Sequence, residues 1–400
     1  MPAADPAPTA PARGDATLAN WRSRPHSAWA FSRVRELIPT AAVAAGRPAP
    51  LAGAPREVLL TPFADPAGAE RTVGGCLAAI DADGLVMLRS GRLVAEHYFG
   101  GYDGRRPHIL FSVSKSVTGL LVGILADRGL IDPDAPVTRL VPEVEGSAYG
   151  DCTVRHLLDM TVAVAFEEDY FDPAGDVIRY RLATGWNPAP PDRDPGDLRA
   201  FLATLRRDEG AHGEVFRYVS PNADLLGWLI ERATGRPYAE TLSGLLWQPM
   251  GAGTPADITV DRLGAPRAAG GISATVRDLA RLGELVRRRG TGPRGQVVPA
   301  WWVEDIVANG DRAAWRRGSF AEQQPDGSYR SQWYRRDGGP PVLLAIGIHG
   351  QWLHIDMANE SVIALVSSRD APTDDASDAS DASTMAMLDA LARSEGGRAP

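Results

Sequence analysis

The segment Phe111-Ser112-Val113-Ser114-Lys115-Ser116-Val117-Thr118-Gly119 sets a serine three residues before a lysine, at the mouth of an apolar run. On a helix, residues i and i+3 share a face, so Ser112 Oγ and Lys115 Nζ can meet. A serine hydroxyl is a poor nucleophile until a base removes its proton. A lysine amine can be that base if its surroundings hold it neutral, which arginine cannot do. The 42 basic residues of this chain are one lysine and 41 arginines. Plain surface cations are therefore arginine throughout, and the one amine able to lose its proton lies beside a serine.

Two further tasks need residues. Tyr218, in Phe216-Arg217-Tyr218-Val219-Ser220-Pro221-Asn222, precedes a helix start and can point into a cleft. A neighbouring lysine ammonium would push it toward phenolate, and it could then relay a proton to a leaving group. By burial habit alone it reads more readily as a core tyrosine. An oxyanion needs backbone N–H donors, that of Ser112 and one from a strand edge. Ala345-Ile346-Gly347-Ile348-His349-Gly350-Gln351 fits, because its glycines permit close backbone approach; it also reads as a strand and a tight turn.

The elements that must position these groups follow from periodicity. Residues 84–89 and 92–99 around Ser90-Gly91 predict a hairpin. Helices are expected at 114–127, with Val117, Leu120, Leu121, Ile124 and Leu125 on the buried side, and at 154–160, 198–205, 222–234 and 275–289. Thr153, Asp197 and Thr275 are placed as caps. Period-two runs at 329–334, 342–347, 351–356 and 361–367 read as four strands, and 384–392 as a closing helix. Residues 21–39 read as a segment laid over the surface with a helical patch at 30–37, and the Asp-Ala-Ser repeat of 375–383 as an acidic linker. The expected class is α+β: an antiparallel sheet with helices on its faces, split by an all-helical insert. The expected division is a disordered tail over 1–20, an α/β lobe from 21–110 and 255–400, and a helical lobe over 111–254, with the site between the lobes.

Whole-chain properties narrow the function. The net charge of −8 argues against nucleic acid as a partner. No run of eighteen apolar residues would span a membrane, and no basic-apolar start marks a secretion signal, so the cytoplasm is expected. Cys76 and Cys152 read as core thiols, without disulfide or zinc spacing. Gly290-Thr291-Gly292-Pro293-Arg294-Gly295 follows a helix and carries a proline, so it reads as a turn and not a dinucleotide loop. Neither Gly-x-Ser-x-Gly nor His-Glu-x-x-His occurs. No metal or cofactor is expected. The expected partner is a small-molecule ester or amide, with a homodimer as an option.

The ordered set of Ser-x-x-Lys, then Phe-x-Tyr-x-Ser-x-Asn, then Gly270-Gly271-Ile272-Ser273-Ala274-Thr275 before a helix resembles the serine β-lactamase-like superfamily. Within it, Trp29-Ala30-Phe31, Asp169-Tyr170-Phe171-Asp172-Pro173 and Gly347-Ile348-His349-Gly350-Gln351 resemble the 6-aminohexanoate-dimer hydrolases, from about Trp21 to Ser368. The resemblance implies a β-lactamase/DD-peptidase-like fold. It implies Ser112 as acylated nucleophile, Lys115 as general base, Tyr218 as proton shuttle, and the N–H groups of Ser112 and Ile348 as oxyanion hole. It also implies that Tyr170, on a loop mobile in that family, hydrogen-bonds the substrate, and that Arg181, Ala269 and His349 lie at the substrate site. Departures matter. The Lys-Thr-Gly triad of β-lactamases is replaced by Ala345-Ile346-Gly347, which removes the cation that grips a β-lactam carboxylate. Arg181 stands where that family has a carboxylate for the substrate's ammonium, and Ala269 where it has an asparagine. A cation there favours an anionic or neutral substrate. The expected activity is acyl-enzyme hydrolysis of short-acyl esters, with linear amides in reach. The alternatives are an acyltransferase, an aminohexanoate-oligomer amidase, and a silent binding protein of the same fold.

Overall fold

The structure, a computed structural model, describes residues 13–192, 194–336, 340–373 and 379–394. Strands β1 (Ala82–Arg89) and β2 (Arg92–Tyr98) form the expected hairpin. Ser90 and Gly91 at its tip both take positive φ, the mirror-image turn that suits strand twist. The expected strand over 329–334 is instead the tip of a second hairpin, β3 (Gly327–Arg330) and β4 (Trp333–Arg336). Ser331 and Gln332 turn the chain at φ 50 and 69. Neither is the glycine or asparagine that signals such a turn. The turn is held from outside: Ser331 N–H donates to Asp159 Oδ1 at 2.8 Å, and Gln332 Nε2 donates to the Leu157 and Leu158 carbonyls at 2.9 Å each.

Strands β5 (Val342–Gly347), β6 (Gln351–Asp356) and β7 (Ser361–Ser367) complete one antiparallel sheet in the order β3-β4-β5-β6-β7-β1-β2. The last strand therefore pairs with the first, Leu365 opposite Leu85 and Ile363 opposite Met87. Among the described residues no strand lies between His108–Ile109 and Ala256–Thr259. That stretch holds α1 (Val113–Asp127), α2 (Val154–Leu158), α3 (Asp176–Ala183), α4 (Leu198–Thr204) and α5 (Ser220–Thr234). Thr153 caps α2 in a reciprocal box with His156, and Asp197 caps α4 through the Ala200 N–H.

Helix α1 is buried on every side from Val113 to Leu125, and not only on the expected face. Two glycines allow this. A Cβ at Gly119 would lie 2.2 Å from the Ser331 carbonyl oxygen, and one at Gly123 would lie 2.4 Å from the Trp302 ring. A helix buried all round belongs in a core, and this one lies between the sheet and the inserted helices.

Both sheet faces are covered, so the strands do not alternate in polarity. Val86, Leu88, Val362 and Ala364 share a cluster with Leu279, Leu282 and Leu285 of α6 (Val276–Arg287). Leu85, Met87, Ile363 and Leu365 share another with Met387, Leu388 and Leu391 of α7 (Ala379–Arg393). Helix α7 starts five residues before the expected 384, so the end of the Asp-Ala-Ser repeat is helical; Arg369 Nη1 donates to Asp381 Oδ1 at 2.8 Å in its first turn. Positions 375–378 of that repeat and 1–12 of the expected tail lie outside the described residues.

Residues 13–20 form turns with Ala16 buried. Residues 21–39 are not a surface strap. Helix appears at Ser27–Ala30 and a 3₁₀ turn at Val34–Glu36, while Trp21, Trp29 and Phe31 are buried with Phe111 and Trp186. Large rings gain most from leaving water, and together they outweigh the local helical pattern read at 30–37. A four-stranded sheet of Thr40–Val43, Ala256–Thr259, Ile272–Ala274 and His108–Ile109 ties this region to the start of α1.

Candidate active site

Ser112 precedes the first turn of α1, and Lys115 Nζ lies 2.8 Å from its Oγ. The amine's second partner is the Ala269 carbonyl at 2.9 Å. Among the described residues no carboxylate lies within ion-pair distance of it. Lys115 is 1% exposed. Burial lowers its pKa to about 7; the nearby charge of Glu168 opposes that, and Arg267 adds to it. Near neutrality much of the amine is therefore the free base. The other serines of the segment serve as anchors. Ser114 Oγ accepts the Ile272 N–H at 3.1 Å, and Ser116 Oγ donates to the Gln332 carbonyl at 2.7 Å.

Phe111, immediately before, sits at φ +43, which a bulky residue adopts only when its surroundings enforce it. Its ring lies among Phe31, Trp186 and His349, with centroids 5.0, 5.9 and 5.0 Å away. The twist sends that ring into the aromatic cluster and leaves Ser112 facing the cavity. Strand β5 ends against the same backbone. A Cβ at Gly347 would lie 2.6 Å from the Leu110 oxygen and 3.1 Å from the Ser112 nitrogen. Ile348 follows and lines the cavity with Ser112. Among the described residues, neither the Ser112 nor the Ile348 N–H donates a backbone or side-chain hydrogen bond. Two uncommitted donors beside a nucleophile can receive an oxyanion.

Tyr218 stands just before α5, and Lys115 Nζ lies 4.9 Å from its ring centroid. The expected phenolate is not favoured. Burial raises the phenol's pKa above its ordinary value, the charge of Glu168 reinforces this, and contacts with the Ser112 and Tyr334 hydroxyls only partly oppose it. The expectation assumed a lysine ammonium next to the ring, whereas burial has removed much of that charge. A neutral phenol can still pass protons, giving one as it takes one.

The cavity is lined by Ser112, Tyr170, Arg181, Trp186, Ala269 and Ile348, among others. It is a narrow cleft, partly open to solvent, with about 30 Å³ of space. The segment 165–175 beside it contains no helix or strand. Tyr170 belongs to it, and its hydroxyl donates to Glu168 Oε1 at 2.5 Å. Arg181, in the last turn of α3, lies over the Tyr170 ring at 5.6 Å. Ala269 enters the site through its carbonyl, which holds Lys115. His349 is not among the lining residues. It is buried behind Phe111, where Nδ1 meets the Arg369 carbonyl at 2.8 Å and burial pushes its pKa down to about 3. It shapes the turn after β5 and lies outside the cavity lining.

Several site residues carry no local sequence signal. Glu168 accepts hydrogen bonds from the Tyr170 hydroxyl and from the Ser220 N–H and hydroxyl. Asp224 accepts from Arg267 and Tyr180 through Oδ2, and from the Ala269 N–H at 2.7 Å through Oδ1. It thus anchors the residue whose carbonyl holds Lys115. Arg22 and Trp186 arrive from distant parts of the chain. The i,i+4 spacing of Ser220 and Asp224 puts both on one face of α5; the others only the fold brings in. Among the described residues no three His, Cys, Asp or Glu side chains gather as a metal site, and no helix is long and apolar enough to cross a membrane.

Comparison with known proteins places the chain in a family. A 6-aminohexanoate-dimer hydrolase of Paenarthrobacter ureafaciens is 42% identical over 359 residues, 89% of either chain. Esterase EstB of Burkholderia gladioli is 33% identical over 195 residues, 47% of this chain and 48% of its own. A solved structure from Bacillus anthracis, described as a candidate 6-aminohexanoate-dimer hydrolase, superimposes with a TM-score of 0.86 at 25% identity, covering 96% of this chain and 98% of its own. The Beta-lactamase family model matches residues 69–384, a span containing the serine, the lysine, the tyrosine and the strand beside them. This chain belongs to the beta-lactamase family and is a serine hydrolase.

Proposed function

We propose that the chain hydrolyses short-acyl carboxylic esters through an acyl-enzyme on Ser112. The observation that carries this is the 2.8 Å approach of Lys115 Nζ to Ser112 Oγ, with the amine's pKa brought to about 7. Lys115 accepts the Ser112 proton as Oγ bonds to the ester carbonyl carbon, and the Ser112 and Ile348 N–H groups receive the oxyanion. The carbonyl–alkoxy bond then breaks, and the proton passes from the lysine through the Tyr218 hydroxyl to the departing alcohol. Water attacks the acyl-enzyme by the same route in reverse, releasing the acid and restoring the Ser112 hydroxyl. One ester and one water give one acid and one alcohol.

A second reading, hydrolysis of linear amides, is favoured by the 42% identity to a 6-aminohexanoate-dimer hydrolase. Arg181 in the cavity wall weighs against a substrate with an ammonium end. The test is p-nitrophenyl acetate and butyrate turnover, with a fluorophosphonate probe to label the nucleophile. Turnover and labelling are expected in the native chain and lost on Ser112→Ala, about a 10³-fold or greater drop. Unlabelled Ser112 in a folded chain would favour a binding role. An alcohol adduct in place of free acid would favour acyl transfer, and robust aminohexanoate-dimer turnover the amide reading.

A further inference from the structure

The cavity beside Ser112 is lined by three arginines, Arg22, Arg181 and Arg267, and its acidic groups are Glu168 and Asp224 just behind Arg267. Arg267 is consumed by Asp224 and Tyr180. Glu168 is consumed by Tyr170 and Ser220. Arg22 donates Nη1 to the Trp186 carbonyl at 2.9 Å and Nη2 to Asn187 Oδ1 at 2.6 Å, both neutral acceptors. Arg181 makes no side-chain hydrogen bond or ion pair among the described residues; its one contact of this kind is with the Tyr170 ring. With Lys115 neutral, the site carries one positive charge too many, and the excess lies on Arg22 and Arg181. Burial opposes the charge of both half-buried groups: Arg22 is brought to about 9 by burial and by Arg181, and Arg181 is lowered by burial, with Arg267 adding to it and Tyr170 and Glu168 opposing it. Cations withdrawn from water are usually paired with anions.

We propose that Arg22 and Arg181 form a carboxylate subsite, and that the natural acyl group ends in a carboxylate, as in a half-ester or half-amide of a short dicarboxylic acid. The acyl side follows from what stays covalently bound. The leaving alcohol must depart to solvent, while the acyl chain stays bonded to Ser112 beside these arginines. Trp186 and Val177 give the methylene chain an apolar wall. Guanidinium groups suit such an anion, because their fixed N–H forks match a carboxylate. A docked carboxylate restores neutrality and supplies Arg181 with acceptors. Arg22 comes from the N-terminal segment, so that segment helps set specificity. This inference rests on the ester-hydrolase reading above.

The test is a charge series at constant chain length: mono-p-nitrophenyl adipate, p-nitrophenyl hexanoate and p-nitrophenyl 6-aminohexanoate. The adipate half-ester should exceed the neutral ester in kcat/KM by about tenfold, chiefly through KM, and the cationic ester by about 100-fold. Arg181→Asp should reverse the order of the two charged esters. Free adipate should competitively inhibit turnover of the neutral ester by the native chain, a measurement that needs no variant to fold. Equal rates across the series, with no inhibition by adipate, would overturn the subsite while leaving the hydrolase intact. Failure of all three esters to acylate Ser112 would instead remove the hydrolase reading on which the subsite stands.

Discussion

Two cations withdrawn from water, Lys115 wholly and Arg330 in part, treat their protons in opposite ways. Arg330, at the β3–β4 turn, donates Nε and Nη2 to Asp305 at 2.8 and 3.0 Å and Nη1 to Asp159 at 2.7 Å. Burial lowers its pKa, but those two carboxylates more than offset that, and the net shift is upward. Lys115 has only a hydroxyl and a carbonyl, and its pKa falls to about 7. The same removal of water gives a locked ion pair in one place and a reactive base in the other. What differs is whether carboxylates came in with the cation. Burial alone therefore does not mark a working residue; burial without a counter-charge does.

The strongest way to break the contrast is Lys115→Arg, which puts a permanent cation in the reactive position. Turnover should fall about 10³-fold or more with the fold retained, read by ester hydrolysis beside circular dichroism. Lys115→Met removes the buried amine instead. Between pH 7 and 10.5 the unfolded chain holds the lysine proton that the folded chain has released, so this residue's contribution to stability improves as pH rises through that window. At or below pH 7 its cost is greatest, and the methionine variant should be more stable there by about 2–4 kcal/mol in urea melts. Asp305→Ala acts on the other member of the pair. It strips Arg330 of two acceptors and should destabilise by about 2–3 kcal/mol, measured as a lower urea midpoint. The gentlest probe is pH. Because the base must be uncharged, kcat/KM should rise through about 7 and fall roughly tenfold per pH unit below it. A flat profile from pH 5 to 8 would mean that another group takes the proton.

Local chemistry was legible in the sequence. Ser112 and Lys115 lie one helical turn apart, and a lone lysine among arginines is visible without coordinates. The caps Thr153, Asp197 and Thr275 were also readable, because a cap and its helix are neighbours. What escaped depends on long-range contact. The Ser331-Gln332 turn is enforced by Asp159 and the end of α2. The Tyr218 phenolate was expected from a charge that the assembled pocket suppresses. Arg22 and Glu168 reach the cavity only when the N-terminal segment and the loop before α3 have docked. His349 was placed at the substrate site by its motif, yet the positive φ at its turn directs it behind Phe111.

The sheet order has a consequence in time. Ile348, whose N–H we assign to the oxyanion hole, lies 236 positions after Ser112. At typical elongation speeds a ribosome needs on the order of 10–50 s to cover that interval. Strand β7, which bonds to β1, is made later still. A nascent chain thus carries its serine and lysine well before the strand that completes their surroundings exists. Until then water reaches the amine, which stays protonated, and the half-made enzyme cannot acylate itself.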